Sequence, residues 1–557
     1  MVSRPNHTSD RVFFAITLVF ALILCVRIVF ILVSATESEK KTYHDPVVST
    51  QVVRGTITDR NGRILAMETP YWSCALLLKS VKDLQSVANL IADPLHMDPE
   101  QIIEITKHYS SYALIKRYLS DDERAALSEI IARHNLGSVV IEKRYGRSFP
   151  QHYHAAQIIG FTNADNQGIE GLELQYNDIL SPYPSLDKQV TYGNDIQLTL
   201  DMDIQYLLDG QAVEIDSQHF GDYVIGIIMG AKTGEILAAT TFPWYDPNSY
   251  QTSSIEQRQN RIVTYMYEPG SVFKVFSLAS VLQANQADVS TVFHCDGSFT
   301  FHTAGGTPVT INCVSAHGDI TPSEMIKFSC NGAIANWALQ TEDTLFRSTL
   351  EALHFGSTWN IGLRGEIRGL LQPASSWSGR SKPTIAFGQE IGVTALQMAS
   401  AATAIANKGV LVSPSIIRSV HSHDGKVNPD VVVPRSTTRV LSETTAENIL
   451  HYMETATEPG GTARLTAIEG VRIASKTGTA QILDEETNSY DSSNFLASTL
   501  SIFPVEDPQY IVYIAVVNPK GSTIWGSNIA GPAIAQIIKG LLRQGKLFSD
   551  TTEKIML

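Results

Sequence analysis

The longest apolar stretch runs over residues 12–33, VFFAITLVFALILCVRIVFILV, with Arg27 as its single charge. About 20 such residues suffice to cross the hydrocarbon core of a bilayer. The Ser34-Ala35-Thr36-Glu37 that follows is a poor signal-peptide cleavage site, so a retained transmembrane helix is expected over 12–33. Arg27 has two readings: a side chain snorkelling to the far interface, or one paired with a polar group on another membrane helix. Arg4 and Arg11 precede the span, while Glu37 and Glu39 offset Lys40 and Lys41 after it. That bias places residues 1–11 in the cytoplasm and the body outside it. Residues 34–50 are polar and lack apolar periodicity, the pattern of a linker.

Beyond the linker the pattern turns globular. Residues 52–66 hold two β-type runs about Asn61-Gly62, a hairpin signal. Residues 121–133 have a helical pattern, and no glycine-rich phosphate loop or cluster of metal ligands interrupts the region to Pro150, which reads as scaffold. A new domain is expected from about 195. Residues 223–229 and 236–240 alternate as a second hairpin, and Val275, Phe276, Leu278, Ala279, Val281 and Leu282 give the run of a buried helix. Thr321-Pro322-Ser323-Glu324 is a helix start with its cap and first-turn proline. Residues 471–483 form a strand containing Gly478, residues 495–503 and 510–517 two more strands, and residues 532–542 a final amphipathic helix. Strand pairs followed by blocks of helix predict an α/β or α+β domain whose helices cover a mainly antiparallel sheet.

Composition narrows the function. At 557 residues, 43% hydrophobic and 18% charged, the chain has room for two to four cored domains and is no polyelectrolyte. A net charge of −14, without a long basic run, argues against nucleic acid as a partner. The five cysteines form no C-x-x-C pair and do not fix a redox compartment. Cys295 and Cys313 flank an expected hairpin, and the sequence leaves open whether they pair as a disulfide. Buried ion pairs of Arg54 or Arg144 with Glu170 or Glu173 are expected to lock the N-terminal region. The i,i+3 spacing of the two glutamates sets them side by side rather than across a cleft as a glycosidase requires.

The chemistry gathers on three short segments. Ser271 stands three residues before Lys274, after Pro269-Gly270 and at the head of the buried helix. That spacing brings an amine near a hydroxyl, and the turn's free N–H groups favour an oxyanion. Ser329-Cys330-Asn331 follows the capped helix, and Lys476-Thr477-Gly478-Thr479 lies in the strand where glycine permits close approach. Each segment is weak singly.

Together and in this order, Ser271-x-x-Lys274, Ser329-x-Asn331 and Lys476-Thr477-Gly478 are the motif set of penicillin-binding proteins and class A β-lactamases, and the chain resembles a class B penicillin-binding protein from residue 12 to about 542. Gly160-Phe161-Thr162-Asn163, followed closely by Gly168-Ile169-Glu170-Gly171-Leu172-Glu173, is similar to division-type (septal) members rather than the elongation type. The resemblance implies a penicilloyl-serine-transferase, β-lactamase-like fold over 195–545, an elongated pedestal of the penicillin-binding protein dimerisation type over 51–194, and a tail over 546–557. It implies a peptidoglycan D,D-transpeptidase in the cell membrane, acting on stem peptides ending in D-alanyl-D-alanine and acylated by β-lactam antibiotics, and a membrane glycosyltransferase and other division proteins as partners.

By that resemblance Ser271 is the nucleophile, Lys274 its base and Ser329 a proton relay. Asn331 holds the donor peptide. Lys476 with Thr477 and Thr479 receives the substrate carboxylate, on the strand that Gly478 opens, and the N–H groups of Ser271 and Thr479 form the oxyanion hole. Lys274 must be neutral to act, so burial and the charge of Lys476 are expected to lower its pKa. No metal or organic cofactor is called for, and no spacing such as H-E-x-x-H is present. Ser475 stands where the family usually has glycine, a departure expected to touch strand packing rather than chemistry. A carboxypeptidase or β-lactamase, which passes the acyl group to water, and a non-catalytic scaffold or β-lactam sensor are the rival functions. The retained anchor and pedestal argue against the first, and the complete motif set argues against the second.

Overall fold

A computed structural model describes residues 51–184, 189–428, 435–484 and 489–548, together with Leu22 and Arg27. Apart from those two residues, the expected membrane span and linker lie outside the described residues, as do residues 549–557 of the expected tail. Among the described residues no helix is long and apolar enough to cross a membrane.

The N-terminal module is a sheet with helices on one side. Strands β1 (Ile57–Thr58) and β2 (Ile64–Leu77) pair about the Asn61-Gly62 turn, where Asp59 Oδ1 accepts the N–H groups of Asn61 and Arg63 at 2.8 Å each, the self-bonding that suits Asp to turns. Helices α1 (Leu84–Leu95) and α2 (Pro99–Thr106) precede β3 (Tyr112–Lys116), and α3 (Asp121–His134) precedes β4 (Val139–Ser148). The start of α3 is set by a Ser120/Glu123 capping box and its end by Asn135 in the left-handed region. β2 lies between β3 and β4, and Cys74, Leu76, Val87, Ile91, Leu95, Ile102 and Leu127 close a core under the helices.

Two strands from later in the chain extend this sheet. β5 (Asp195–Leu198) runs parallel to β1, with Ile57 opposite Ile196, and the strand Ile417–His421 pairs with β5 on its other side. The expected Arg54–Glu173 pair is present, and Arg147 joins it on the same carboxylate. Arg54 Nε meets Glu173 Oε2 at 2.7 Å and Arg147 Nε meets Glu173 Oε1 at 2.6 Å. Arg144 instead pairs with Glu142, and Glu170 with Arg258, because along an extended strand Arg144 and Arg147 point to opposite faces.

After β5 come α4 (Met202–His219), the hairpin β6 (Tyr223–Gly230) and β7 (Ile236–Phe242), and α5 (Lys274–Gln283). Short strands β8 (Phe293–Cys295), β9 (Ser298–His302), β10 (Pro308–Asn312) and β11 (Gly318–Ile320) form nested pairs, β8 with β11 and β9 with β10. Helices α6 (Pro322–Phe328), α7 (Asn331–Gln340) and α8 (Ala395–Ala406) follow, then β12 (Ala474–Asp484), β13 (Ser489–Phe503), β14 (Tyr510–Val517) and α9 (Gly526–Arg543).

The main sheet has the order β12-β13-β14-β6-β7 and is antiparallel throughout. β14 shows how both faces are used. Ile511, Tyr513 and Ala515 enter the core with α5 and α8, whereas Val512, Ile514 and Val516 enter the one with α4 and α9. Side chains alternate along a strand, so a continuous apolar run means burial on both faces. Every residue of α5 from Lys274 to Leu282 is buried, as expected of a helix apolar all round.

Candidate active site

Ser271 sits in a 3-10 turn, Gly270–Phe273, that runs into α5 at Lys274, rather than in the first α-turn expected from sequence. Residues three apart eclipse one another in a 3-10 turn, yet the hydrogen bonds of Lys274 Nζ go to Ser329 and Asn331 rather than to Ser271 Oγ. Three contacts hold the turn. Tyr267 and Val393 exchange backbone hydrogen bonds, Gly270 N–H donates to Gly388 O at 3.0 Å, and Glu268 Oε1 accepts the N–H of Glu390 at 2.8 Å. Gly388 adopts φ +88°, and a Cβ there would lie 2.1 Å from Gly270 O, so only glycine fits.

Ser329-Cys330-Asn331 forms an elbow between two helices. A Thr321/Glu324 capping box starts α6, and Ser329 ends it in the left-handed region at φ 60° with its N–H on Met325 O. Cys330 then caps α7, its sulfur accepting the N–H of Ala333 at 3.5 Å. The elbow turns both polar side chains toward Lys274, whose Nζ donates to Ser329 O at 2.5 Å, Ser329 Oγ at 3.1 Å and Asn331 Oδ1 at 2.6 Å. Asn331 Nδ2 donates to Asn312 O at 2.8 Å, which fixes its amide orientation.

β12 brings the third segment. Lys476 Nζ donates to the same Ser329 Oγ at 2.9 Å and to Thr477 O at 2.8 Å. Strand and nucleophile turn touch at Gly478, where a Cβ would lie 2.8 Å from Val272 Cγ2 and 3.0 Å from Val272 N. Thr479 Oγ1 accepts the N–H of Gly526 at the start of α9, at 3.2 Å, and keeps its own proton for another acceptor. Ser475, the departure from the family pattern, is buried in a hydroxyl chain: its Oγ is 3.1 Å from Thr466 Oγ1 and 2.7 Å from Ser501 Oγ.

Both lysines are 0% exposed. Burial brings Lys274 down to about 8, opposed by the nearby Cys330 and Cys313. Burial and then the charge of Lys274 hold Lys476 well below the ordinary lysine range. Desolvation is the largest cause at both amines, and the two buried lysines repel one another. Ser329 Oγ bridges the two amines, so a proton has a continuous path between them.

Ser271, Asn331 and Thr479 line a cleft of about 460 Å³. Lys274, Ser329, Lys476, Thr477 and Gly478 are not among the residues that line it, and the Thr477 carbonyl accepts a hydrogen bond from Lys476 Nζ. The cleft is completed by residues without a sequence motif: 309–312 of β10, Arg380, Thr384, Phe387, Gln389 and Gln481. Arg380 and Thr384 share Glu390 Oε1 at 3.1 Å each. Only the fold brings these segments to Ser271, and no local pattern marks them. Cys330 is buried, and Cys295 and Cys313 are free thiols with sulfurs 3.7 Å apart, so the disulfide left open by the sequence is not formed.

The arrangement holds a hydroxyl at a turn with free N–H groups, a low-pKa amine, a bridging hydroxyl and a second buried amine. That set can carry acyl transfer through a serine ester. Comparison with known proteins agrees. Residues 224–539, more than half of the chain, match the penicillin-binding protein transpeptidase domain, and residues 49–196 match the penicillin-binding protein dimerisation domain. The chain is 29% identical to the probable peptidoglycan D,D-transpeptidase PenA of Neisseria gonorrhoeae over 97% of its own length and 94% of that protein's. It is 26% identical to the peptidoglycan D,D-transpeptidase FtsI of Escherichia coli K12, over 92% and 87%. The crystal structure of penicillin-binding protein 3 from Mycobacterium tuberculosis, complexed with aztreonam, superposes with a TM-score of 0.71 at 22% identity, covering 90% of this chain and 98% of that one.

Proposed function

The chain belongs to the penicillin-binding protein transpeptidase family, and from that premise we propose that it is a peptidoglycan D,D-transpeptidase of the division type. The observation that carries this reading is the pair of buried lysines sharing Ser329 Oγ beside Ser271.

In this mechanism neutral Lys274 takes the proton of Ser271 Oγ as that oxygen attacks the penultimate D-alanine carbonyl of a stem peptide. The oxyanion is held by the N–H groups of Ser271 and Thr479. Ser329 passes the proton from Lys274 to the departing amine, the C–N bond breaks, and terminal D-alanine leaves. Lys476, with Thr477 and Thr479, receives the terminal carboxylate, and Asn331 holds the donor backbone. The amine of a second stem peptide then attacks the Ser271 ester, returning its proton through Lys274 and forming the crosslink. A β-lactam enters by the same attack and remains on Ser271.

The apolar span 12–33 anchors the protein in the cell membrane with residues 1–11 cytoplasmic, and the pedestal carries the transpeptidase domain outward. A membrane glycosyltransferase and other division proteins supply and place the strands. The test is labelling with a fluorescent penicillin. Wild type is expected to carry the label covalently and Ser271→Ala to carry none, and equal labelling of both overturns the assignment. Slow loss of the adduct is expected of a transpeptidase, whereas turnover within seconds indicates a hydrolase.

A further inference from the structure

Beside the elbow lies a cluster that the acyl-transfer reading does not use. The ligand atoms of Cys295, Cys313, His317 and Cys330 all lie within 4.8 Å of one another. We propose that these four residues form a tetrahedral zinc site that ties the β8–β11 subdomain to the Ser329-Cys330-Asn331 elbow.

Geometry separates this from a disulfide. Zn–S bonds of about 2.3 Å at the tetrahedral angle set two sulfurs about 3.8 Å apart, and a sulfur and an imidazole nitrogen about 3.5 Å apart. Cys295 and Cys313 sulfurs are 3.7 Å apart, Cys313 and Cys330 sulfurs 3.6 Å, and Cys295 Sγ lies 3.3 Å from His317 Nδ1. A disulfide needs about 2.05 Å. Three thiols and one imidazole are a soft donor set of the structural zinc type, and with four protein ligands no coordination position stays open for water.

The backbone also presents the ligands. Cys295 ends β8, Cys313 directly follows β10 and His317 directly precedes β11. The N–H of His317 bonds Cys295 O at 3.0 Å, and that of Cys313 bonds Gly297 O at 2.9 Å. Gly332 N–H points at Cys313 Sγ at 3.4 Å and Ala333 N–H at Cys330 Sγ at 3.5 Å, the outer-shell donation that stabilises metal-bound thiolate. His317 stacks on Phe328 at 6.0 Å, which sets its ring plane. The ligands are spaced 18, 4 and 13 residues apart, so no compact sequence motif announces them. Binding one Zn²⁺ releases the three thiol protons.

The consequence is positional. Cys330 lies between Ser329 and Asn331, and Cys313 follows Asn312, whose carbonyl orients Asn331. One ion would fix the elbow and the β10 wall of the cleft together. This inference does not depend on the acyl-transfer chemistry, and metal content reads it without activity.

The experiment measures zinc in the full-length protein purified in detergent under reducing conditions, alongside Cys313→Ser and His317→Ala. Stoichiometric zinc in wild type, lost in both variants, is expected. Chelation is expected to lower the Tm of wild type, and zinc to restore it. If the variants fail to fold, wild type loaded with Co²⁺ decides: intense thiolate-to-cobalt charge-transfer absorption supports the site, and its absence overturns it. No zinc uptake by reduced wild type, full retention in both variants, or a disulfide among Cys295, Cys313 and Cys330 in the purified protein likewise overturns the proposal.

Discussion

Among the buried cations of the described residues, two groups are treated in opposite ways. In the N-terminal module Arg54 and Arg147 close on the carboxylate of Glu173. Arg54 further donates to Glu173 O, Asn166 O and Asn177 Oδ1, and Arg147 to Gly55 O. Behind Ser271, the hydrogen bonds of Lys274 and Lys476 among the described residues go to neutral acceptors: hydroxyl, amide and carbonyl oxygens. The guanidinium lock compensates its charge and becomes structure. Among the described residues the lysine pair has no carboxylate partner, and the nearby Cys313 and Cys330 only partly oppose the effect of burial on Lys274, so the pKa values fall and the pair is ready both to take a proton and to receive an anion.

The sharpest way to break this contrast is to remove a charge from each group. Lys274→Met is expected to slow penicillin acylation by about 10²–10⁴-fold, the size of a general-base contribution, with Tm unchanged or raised, because an uncompensated buried cation has gone. Stopped-flow acylation and thermal melts of one preparation check both halves. Glu173→Gln is expected to do the reverse. Leaving two buried arginines without their carboxylate costs about 3–5 kcal/mol, read by denaturant unfolding, while the acylation rate per folded molecule stays at the wild-type value.

pH probes the same difference without mutation. Lys274 acts when neutral and its pKa is about 8, so acylation is expected to rise about tenfold per pH unit below that value and level off above it. The sign for stability follows from the folded pKa lying below the unfolded value of 10.5. Between the two the unfolded chain holds the extra proton, so this group adds stability as pH rises from about 8 toward 10.5. A flat acylation profile across pH 7–9 would remove Lys274 as the base. The smallest expected effect is at Ser475→Ala, which cuts the Thr466–Ser475–Ser501 hydroxyl chain for about 1 kcal/mol and leaves acylation within twofold. A large loss of acylation there would show that the departure from glycine serves the chemistry.

The two regions also differ in how far the sequence revealed them. The hairpin at Asn61-Gly62, the helix beginning at Asp121, the strand pairs of the main sheet and the buried helix after Lys274 are legible because turn residues, caps and periodicity act locally. The three motif segments are legible for the same reason. Of the lock, Arg54 and Glu173 were legible as candidate partners, whereas choosing Arg147 over Arg144 required knowing which face of β4 meets Glu173.

By itself, the sequence determined which chemical groups are present, their order, and the local turns that hold each: Ser271 before Lys274, Ser329 at a helix end, and Gly478 in a strand with no side chain to keep a neighbour away. Tertiary structure decided what those groups experience. Burial depresses the pKa of Lys274, β10 supplies a wall of the cleft, and four metal-type ligands from residues 295 to 330 converge. Desolvation and long-range contact are properties of the space around a group, and that space is filled by residues far from it in the chain.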